Sequence, residues 1–451
     1  MKLTLDALEL ALQQIDGCRC VVIALSGGMD SVVLLHGLSQ LRAQGRIQFE
    51  SRAVHVNHGL QSGADSWQSH CEKICQQLGV DLISEKADLQ SISHSNHGIE
   101  NAARQARYQI FERQLQAEEV LLLAHHRDDQ METLLLRLMR GSGSRGLRGI
   151  PKTRKLGAGF LFRPLLDFDS SDIEHYARSN KLQWVEDDSN KDQRFDRNYT
   201  RHTLLPLIET RWPGYRESWS KSAVLAGETE NLLHDLAAID FAQLASHSDS
   251  SLHVDRLLRL EEPRRRNLLR YWLQRLELPE LGWNRLQQLS REVLLADDSA
   301  SLNATGFRLA RFRGKLYALR DSALDQHDIS WRMHLQLQDA QDAAEIELPD
   351  NGSLSTRVVT GSGLSLQNCK QLQIRYRQGG ETCRLHGRPT KTLKKILQEQ
   401  QIEPWFRDRI PLLYAGQKLV CIPGIGVSEG CVAGKDEPGV VVAWRRPKLV
   451  I

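Results

Sequence analysis

Residues 26–31, SGGMDS, combine two glycines, two serines and an acid in a pattern that could hold the phosphates of a nucleotide. Glycine can adopt positive φ, and it lets backbone N–H groups approach an anion with no Cβ in the way. A following helix would point the positive end of its dipole at the same spot, and the serine hydroxyls would add donors. The sequence therefore predicts a nucleotide-binding loop made of Ser26, Gly27, Gly28, Met29, Asp30 and Ser31.

Asp30 is the unusual member of this loop, because a carboxylate repels phosphates unless a cation lies between them. We therefore expect Asp30 to hold a Mg²⁺ ion that bridges to pyrophosphate oxygens. The loop lacks the G-K-[ST] of the Walker type, which grips β- and γ-phosphates. The alternative is an ordinary glycine turn in which Asp30 or Ser31 caps the following helix.

A second cluster of chemically useful side chains lies in AHHRDDQMET, residues 124–133. His125 is expected to end a strand, and Asp129 and Glu132 are three residues apart, so they share one face of the next helix. Paired carboxylates of this kind could hold the amines of a ligand or a second metal ion. The alternative is that these acids only occupy a first helical turn, where the helix dipole favours negative charge.

Two arginine-bearing segments supply the remaining candidate catalytic residues. ENAARQARY, residues 100–108, places Arg104 on a helix, where it could neutralise phosphate; a solvated surface arginine is the alternative. In residues 184–201, WVEDDSNKDQRFDRNYTR, Arg197 lies among further arginines and aromatic residues. That mixture suits RNA phosphates and splayed bases, and a salt-bridged surface loop explains it equally well.

Alternating strands and helices should position these residues. Apolar runs at 20–25, 51–58, 81–87 and 120–126 are typical of strands, and an amphipathic helix is predicted after each. This alternation requires parallel crossovers, so it predicts an α/β fold with a doubly wound parallel sheet. Both clusters would then lie at the carboxyl ends of strands, where such sheets bind ligands.

The length of 451 residues predicts more than one domain. Residues 1–215 carry the α/β pattern, and residues 141–151, GSGSRGLRGIP, are expected to form a mobile loop within it. Residues 216–340 are rich in leucine and arginine and predict a mostly helical domain without strands. Residues 341–451 predict a small α+β domain in which β-like runs surround a lysine-rich helix.

Composition narrows the class of protein. No apolar run approaches the roughly 20 residues that span a bilayer, so no membrane association is expected. The eight cysteines form no C-x-x-C pair, and this scattered usage suits a reducing cytoplasm. The net charge of only +3 does not by itself indicate nucleic acid, so the local distribution of charge has to be considered.

The motifs taken in order resemble those of the tRNA(Ile)-lysidine synthetase family, a branch of the PP-loop ATP pyrophosphatases. They are SGGMDS, VNHG, ENAAR-QARY, AHHRDDQMET, RGSGSRGL, RPLL and WVEDDSN…RN. The likeness covers the N-terminal domain and continues in residues 375–427, which are similar to that family's C-terminal domain. One departure is Gln61, where the family usually has an arginine that would contact phosphate.

The resemblance implies a tRNA-modifying enzyme that uses ATP and Mg²⁺. The O2 atom of the wobble cytidine of a CAU-anticodon isoleucine tRNA would attack the α-phosphate of ATP and release pyrophosphate. The ε-amine of free L-lysine would then displace AMP at C2 and give lysidine. By family match, Asp129 and Glu132 would orient lysine with His125 nearby. Arg104 and Arg197 would stabilise charge on the phosphate or on the base.

Basic clusters in the other two domains would contact the tRNA if the resemblance holds. One lies at residues 264–272, where four arginines precede Tyr271 and Trp272, and a solvated helix face is its alternative. The other is formed by Lys391, Lys394 and Lys395, which are expected on one helical face. The sequence is also compatible with a homodimer.

Three other classes of protein compete with this interpretation. A sulfur-inserting PP-loop tRNA enzyme would need reactive cysteines or an iron–sulfur cluster, and the lack of C-x-x-C argues against it. A PP-loop amidotransferase-type synthetase would not need two further basic domains. A non-enzymatic RNA-binding protein would leave both acidic motifs without a purpose.

Overall fold

The fold is described from a computed structural model of the chain, which divides into two compact units, residues 1–232 and 233–451. The described residues are 2–15, 17–57, 59, 64–87, 98–186, 192–245, 250–296, 300–320, 345–365 and 372–451. The domain boundary expected near residue 340 lies outside these residues, and the one expected near 215 stays a prediction.

The N-terminal unit is built on a six-stranded sheet with the order β3-β2-β1-β4-β6-β5. Its strands are β1 (Cys20–Ala24), β2 (Glu50–Asn57), β3 (Asp81–Lys86), β4 (Glu119–Leu122), β5 (Thr153–Leu156) and β6 (Gly159–Phe162). All neighbours are parallel except β5, which runs antiparallel to β6 at the edge. The predicted doubly wound α/β fold is confirmed, although β5 and β6 were not predicted.

Helices cover both faces of this sheet. The helices of this part of the chain are α1 (Leu5–Leu12), α2 (Met29–Ala43), α3 (Ala64–Leu78), α4 (Gly98–Gln114), α5 (Arg127–Met139), α6 (Ser144–Leu147), α7 (Ser170–Ser179), α8 (Asp196–Tyr199), α9 (Leu205–Arg211) and α10 (Tyr215–Leu244), which ends in the second unit. In β1, Val21 and Ile23 join the core under α1, α2 and α7, whereas Val22 joins the core under α4. Burial on both faces explains why the central strand β1 is continuously apolar.

The segment from residue 141 to 151 was predicted as a mobile loop, but it contains the helical turn α6 and is tied to α5. Arg137 donates to the carbonyl oxygens of Gly146 and Gly149 at 2.8 and 2.6 Å. Gln130 accepts a hydrogen bond from the backbone of Ile150. Two side chains of α5 therefore fix the shape of this glycine-rich segment.

The first part of the second unit is mostly helical, as predicted, but the expectation that it lacks strands was wrong. Its helices are α11 (Val254–Arg259), α12 (Glu262–Arg275) and α13 (Trp283–Leu289). Beside them lies an antiparallel sheet, in the order β7-β10-β9-β8, of β7 (Leu252–His253), β8 (Ser301–Ala304), β9 (Phe307–Phe312) and β10 (Lys315–Arg320). Frequent arginines hide the alternation of these strands, in which Phe307 and Leu309 are buried.

The remainder of the second unit is the predicted α+β region. It contains β11 (Glu345–Glu347), β12 (Ser353–Thr360), β13 (Leu364–Ser365), β14 (Gln373–Arg375), β15 (Thr382–Cys383), β16 (Lys391–Thr392), α14 (Leu393–Glu399), α15 (Pro404–Arg407), β17 (Leu412–Ala415), β18 (Lys418–Ile422), β19 (Gly426–Val427) and β20 (Pro438–Arg445). Two four-stranded antiparallel sheets run in the orders β11-β12-β20-β13 and β14-β17-β18-β19.

A nearly buried ion pair locks the amino ends of β2 and β4 together across β1. Arg52 donates to both carboxylate oxygens of Glu119 at 2.6 and 2.7 Å, and the Glu119 side chain is only 5% exposed. The hydrogen bonds from Arg52 hold the pKa of Glu119 below its usual value. This pair lies at the amino ends of the strands, whereas the candidate site lies at their carboxyl ends, so the pair contributes to stability.

Glu119→Gln should lower the free energy of unfolding of the N-terminal unit by about 3 kcal/mol, because it leaves the Arg52 charge without its partner. Because folding depresses the pKa of Glu119, its contribution is present above the unfolded-state pKa and is lost as pH falls. Calorimetry at pH 7 and at pH 4 should therefore show a smaller difference from wild type at pH 4. Exposed Glu118→Gln is the matched control, and equal effects of both substitutions would contradict the assignment.

Candidate active site

The loop between β1 and α2 depends on one glycine with an unusual backbone conformation. Gly27 has φ of +84°, and a Cβ built there would lie 3.2 Å from the Sγ atom of Cys71. Gly28 has φ of −75°, so only the first of the two glycines adopts the predicted positive φ. Gly28 also caps α2, which excludes the alternative that Asp30 or Ser31 caps this helix.

Hydrogen bonds within the loop and from a distant segment fix its shape. Ser31 donates from its hydroxyl to the carbonyl oxygen of Gly28 at 2.9 Å, and it accepts from the backbone N–H of Ser26 at 3.2 Å. The backbone N–H of Val185 donates to the carbonyl oxygen of Gly27 at 3.0 Å. The loop is therefore organised by the protein itself, as an anion-binding turn requires.

Asp30 lies beside the start of α5, because β1 and β4 are parallel neighbours and their carboxyl ends meet. Its Oδ2 atom lies 3.7 Å from Nε2 of His126, whose side chain also lies 3.6 to 3.8 Å from the carboxylates of Asp129 and Asp128. Burial raises the pKa of Asp30, and His126 acts in the opposite direction. His126 was missed in favour of its neighbour His125, since the dipeptide gives no signal that distinguishes them.

The residues around Asp30 fit a divalent cation. Its Oδ1 atom is buried and accepts no hydrogen bond from any residue that the structure describes. A buried carboxylate oxygen without a donor is costly, and a cation would satisfy it. Mg²⁺ typically uses one or two carboxylates and completes its shell with phosphate oxygens and water.

Asp129 and Glu132 share one face of α5, as predicted, and both are buried. Arg197 bridges them, with 2.7 Å to Oδ1 of Asp129 and 2.7 Å to Oε2 of Glu132. Arg201 bridges the same two carboxylates at 3.2 and 2.5 Å. Burial raises the pKa of Asp129, but His126 and Arg197 outweigh it and bring the pKa to about 2.

The segment that carries the two arginines combines both interpretations of residues 184–201. Arg197 and Arg201 form ion pairs, as the salt-bridge alternative predicted, but their partners are buried catalytic candidates. The segment forms α8, a π-helical turn at Thr200–Leu204 and α9, and π turns are frequent at functional sites. Arg201 was not selected from the sequence, although its spacing of four from Arg197 places both on one helical face.

A second set of cations surrounds His125, which lies in the connection between β4 and α5. Arg163 is 3% exposed, and its Nε–H donates to Nδ1 of His125 at 3.0 Å. Burial lowers the pKa of His125 to about 3, and Asp129 opposes that shift. Arg104 stacks on the ring of Tyr108 with 5.2 Å to its centroid. Arg104 also acts electrostatically on His125, and its role in stabilising charge stays a prediction; Arg163 was not selected from the sequence.

The VNHGLQ segment is described only in part. His58 and Gln61 of the VNHGLQ segment lie outside the described residues. Asn57, which ends β2, is buried, and its side-chain oxygen accepts from the backbone of Gly59 at 2.9 Å.

The arginine-rich stretch at 264–272 is mostly engaged within its own unit. Arg264 pairs with buried Asp240 at 2.7 Å, and Arg270 lies 3.5 Å from Glu280. Trp272 is 1% exposed and donates from its indole to the backbone. This tryptophan is a core residue, so it offers no surface for stacking an RNA base.

The lysine cluster also differs from its prediction. Lys391 lies in β16 and not on α14, and it forms an ion pair with Glu399 at 2.7 Å. Lys394 and Lys395 are exposed on α14, whose cap is Thr392. The predicted positive helical face therefore consists of two lysines.

Gly27→Ala should lower the free energy of unfolding by about 2 kcal/mol, because alanine is strained at φ of +84°. Gly28→Ala is the matched control. Its φ is ordinary, and its nearest non-neighbouring atom would be 3.5 Å away, so the expected loss is below about 1 kcal/mol. Thermal unfolding without nucleotide measures both. If Gly28→Ala were the more destabilising change, the assigned loop conformation would be incorrect.

Comparisons with known proteins agree over most of the chain. Family models match residues 4–208 (PP-loop domain), 252–317 (TilS substrate binding domain) and 372–444 (TilS substrate C-terminal domain). The chain is 40% identical to the tRNA(Ile)-lysidine synthase of Coxiella burnetii, over 94% of this chain and 93% of that protein. It is also 40% identical to the tRNA(Ile)-lysidine synthase of Pseudomonas fluorescens, over 90% of each chain. None of the helices that the structure describes is both long and apolar enough to cross a membrane. The chain belongs to the tRNA(Ile)-lysidine synthase family.

Proposed function

We propose that this ATP-dependent tRNA-modifying enzyme joins the ε-amine of free L-lysine to C2 of the wobble cytidine in a CAU-anticodon isoleucine tRNA. The reaction passes through an adenylated cytidine and releases pyrophosphate and AMP. The observation that carries this proposal is the unpartnered oxygen of Asp30 beside a preorganised glycine loop. That pairing suits an ATP molecule cleaved between its α- and β-phosphates.

In the first half-reaction, the loop of residues 26–31 holds the leaving pyrophosphate. Backbone N–H groups at the start of α2 face the phosphates because Gly28 caps the helix without a side chain. Asp30 would hold Mg²⁺, which supplies charge neutralisation for the departing pyrophosphate. Arg104 and Arg197 stabilise the negative charge that develops on the α-phosphate as O2 of cytidine attacks it and pyrophosphate leaves.

In the second half-reaction, the lysine ε-amine attacks C2, and Asp129 on α5 presents the lysine. The cytidine O2 has become a leaving group as part of AMP, so C2 now accepts a nucleophile. The carboxylate of Asp129 stays ionised because its pKa is about 2, and an ionised acid is what an ammonium group requires. Glu132 is fully buried under Arg197 and Arg201, so it acts by holding these arginines in place.

The cysteines favour this chemistry over insertion of sulfur, the alternative function. Cys71 lies close to the loop, since a Cβ on Gly27 would contact its Sγ. Burial raises the pKa of Cys71 to about 12 and that of Cys75 to about 11. Neither thiol forms a thiolate near neutral pH, and sulfur transfer requires a reactive thiolate.

The proposal extends to partners and location. Exposed Lys394 and Lys395 would contact the tRNA backbone without reading its sequence. We place the enzyme in the cytoplasm, where tRNA, ATP and lysine are available. We further propose that the enzyme forms a homodimer, which sedimentation velocity at micromolar concentration tests.

The central experiment combines the protein with ATP, labelled lysine and an unmodified isoleucine tRNA transcript. We expect label on the tRNA only when lysine and ATP are both present, with one AMP released per lysine joined. Asp30→Asn should lower the rate about 1000-fold, because it removes the charge that holds Mg²⁺. Turnover without tRNA, or label from a sulfur donor, would contradict the proposal.

Asp129→Asn tests the lysine subsite separately. The KM for lysine should rise about tenfold to 100-fold, the usual value of a hydrogen bond to a charged group, while the KM for ATP changes little. Asp196→Asn is the control, because Asp196 is an exposed acid next to Arg197 whose one ion pair among the described residues is with exposed Arg140 at 3.6 Å. An unchanged KM for lysine in Asp129→Asn would remove Asp129 from this role.

A further inference from the structure

The hydrogen bond between Arg163 and His125 determines where the imidazole carries its proton. A guanidinium group only donates, so Nδ1 of His125 must accept the hydrogen bond from Nε of Arg163 at 3.0 Å. An accepting Nδ1 carries a lone pair. A neutral ring then has its proton on Nε2. The hydrogen bond that Nδ1 accepts from Arg163 has thus determined that Nε2 is protonated.

Arg163 is itself held firmly. Its NH1 atom donates to the carbonyl oxygen of Pro151 at 2.6 Å, and the residue is 3% exposed. Among the described residues, no carboxylate lies within ion-pair distance of Arg163. Burial lowers the pKa of Arg163 to about 10, so the guanidinium remains charged at neutral pH. A buried cation that makes no ion pair needs another reason for its position, and the contact with His125 supplies one.

The Nε2 atom of His125 is available to a ligand. No described residue accepts a hydrogen bond from it, and the side chain is only partly buried. Asp129, Arg197 and Arg104 act electrostatically on His125, which places the ring within the candidate site. A second histidine shows the opposite arrangement, because Nδ1 of buried His55 faces the carbonyl oxygen of Leu25 at 2.9 Å. A carbonyl only accepts, so His55 carries its proton on Nδ1.

We propose that Arg163 is a positioning residue that holds His125 as the neutral Nε2–H tautomer, which donates a hydrogen bond to an anionic oxygen of a bound substrate. In this role His125 does not remove the proton of the lysine amine. The anionic oxygen belongs either to an ATP phosphate or to the lysine carboxylate. The role in turnover rests on the function proposed above, whereas the tautomer is a property of the free protein.

Nitrogen NMR of the full-length protein with ¹⁵N-labelled histidine tests the tautomer without any activity. Difference spectra of His125→Gln and His55→Gln assign the two rings. We expect His125 to show a protonated Nε2 and an unprotonated Nδ1 at pH 7, and His55 to show the reverse. A doubly protonated His125, or the same tautomer in both rings, would overturn the proposal.

Addition of substrates identifies the oxygen that Nε2–H contacts. A shift of the Nε2 signal with a non-hydrolysable ATP analogue assigns it to a phosphate, and a shift with lysine assigns it to the carboxylate. No shift with either ligand would contradict the donor role. These signals do not depend on tRNA modification, so a failure of the labelling experiment would leave the tautomer result intact.

Arg163→Met should mix the two tautomers of His125 and lower kcat about tenfold to 100-fold, the range for residues that orient a site residue. Arg154→Met is the matched control. Arg154 is exposed and lies 4.7 Å from the centroid of the Tyr108 ring, and among the described residues no hydrogen bond joins it to His125. If both variants kept the wild-type tautomer, Arg163 would not be the residue that sets it.

A double-mutant cycle separates positioning from a general loss of structure. If Arg163 acts through His125, adding Arg163→Met to His125→Gln should lower kcat little further. The kcat of the double variant should lie within about twofold of that of the slower single variant. His125→Gln should retain more activity than His125→Ala, because an amide N–H can replace the donor. Additive losses, or equal activity of these two His125 variants, would refute the donor role.

Discussion

The structure of the candidate site depends on the burial of charge at the carboxyl ends of β1 and β4. Glu132 is fully buried and Asp129 almost so, and an unpaired buried carboxylate costs several kcal/mol. Arg197 and Arg201 neutralise both acids through four contacts. Because these arginines are at least 65 residues further along the chain, the segment from α8 to α9 must return to α5. Pairing of charge thus fixes the path of the backbone.

Asp30 is the acid of the site whose charge is not fully compensated by the protein. The carboxylates of Asp128 and Asp129 are held ionised by arginines or backbone donors, and their pKa values fall below the ordinary value although burial raises them. Asp30 lacks such partners for one oxygen, and its pKa rises. Protonation or a cation can relieve this cost, and beside phosphates a cation is favoured because it attracts both groups. The acid that lacks an arginine is therefore the one suited to a metal.

Local pattern was sufficient for part of this molecule and insufficient for the rest. The strands β1 and β4 were predictable because strands buried on both faces carry apolar runs, and β2 and β3 followed from the alternation of strands with helices. The shared face of Asp129 and Glu132 followed from helical spacing. The partners of Arg163 and Arg197 were not predictable, since contacts across 38 and 65 residues leave no local signal. Burial of Trp272 and the strands β8 to β10 were missed for a related reason. Arginines beside them made core residues resemble a nucleic-acid surface.

The arginines of the candidate site fall into two sets, which differ in whether carboxylates balance their charge. Arg197 and Arg201 are paired with Asp129 and Glu132, so positive and negative charges balance on the α5 side of the site. Around α4, positive charge exceeds negative charge. Burial alone would raise the pKa of Tyr108. Arg104, Arg163 and Arg154 act in the opposite direction and outweigh burial, so the pKa of Tyr108 lies below its usual value. A positive electrostatic potential that lowers the pKa of a buried phenol also attracts phosphate. Positive charge is therefore in excess on the α4 side of the site and balanced on the α5 side, so an anionic ligand is favoured beside α4.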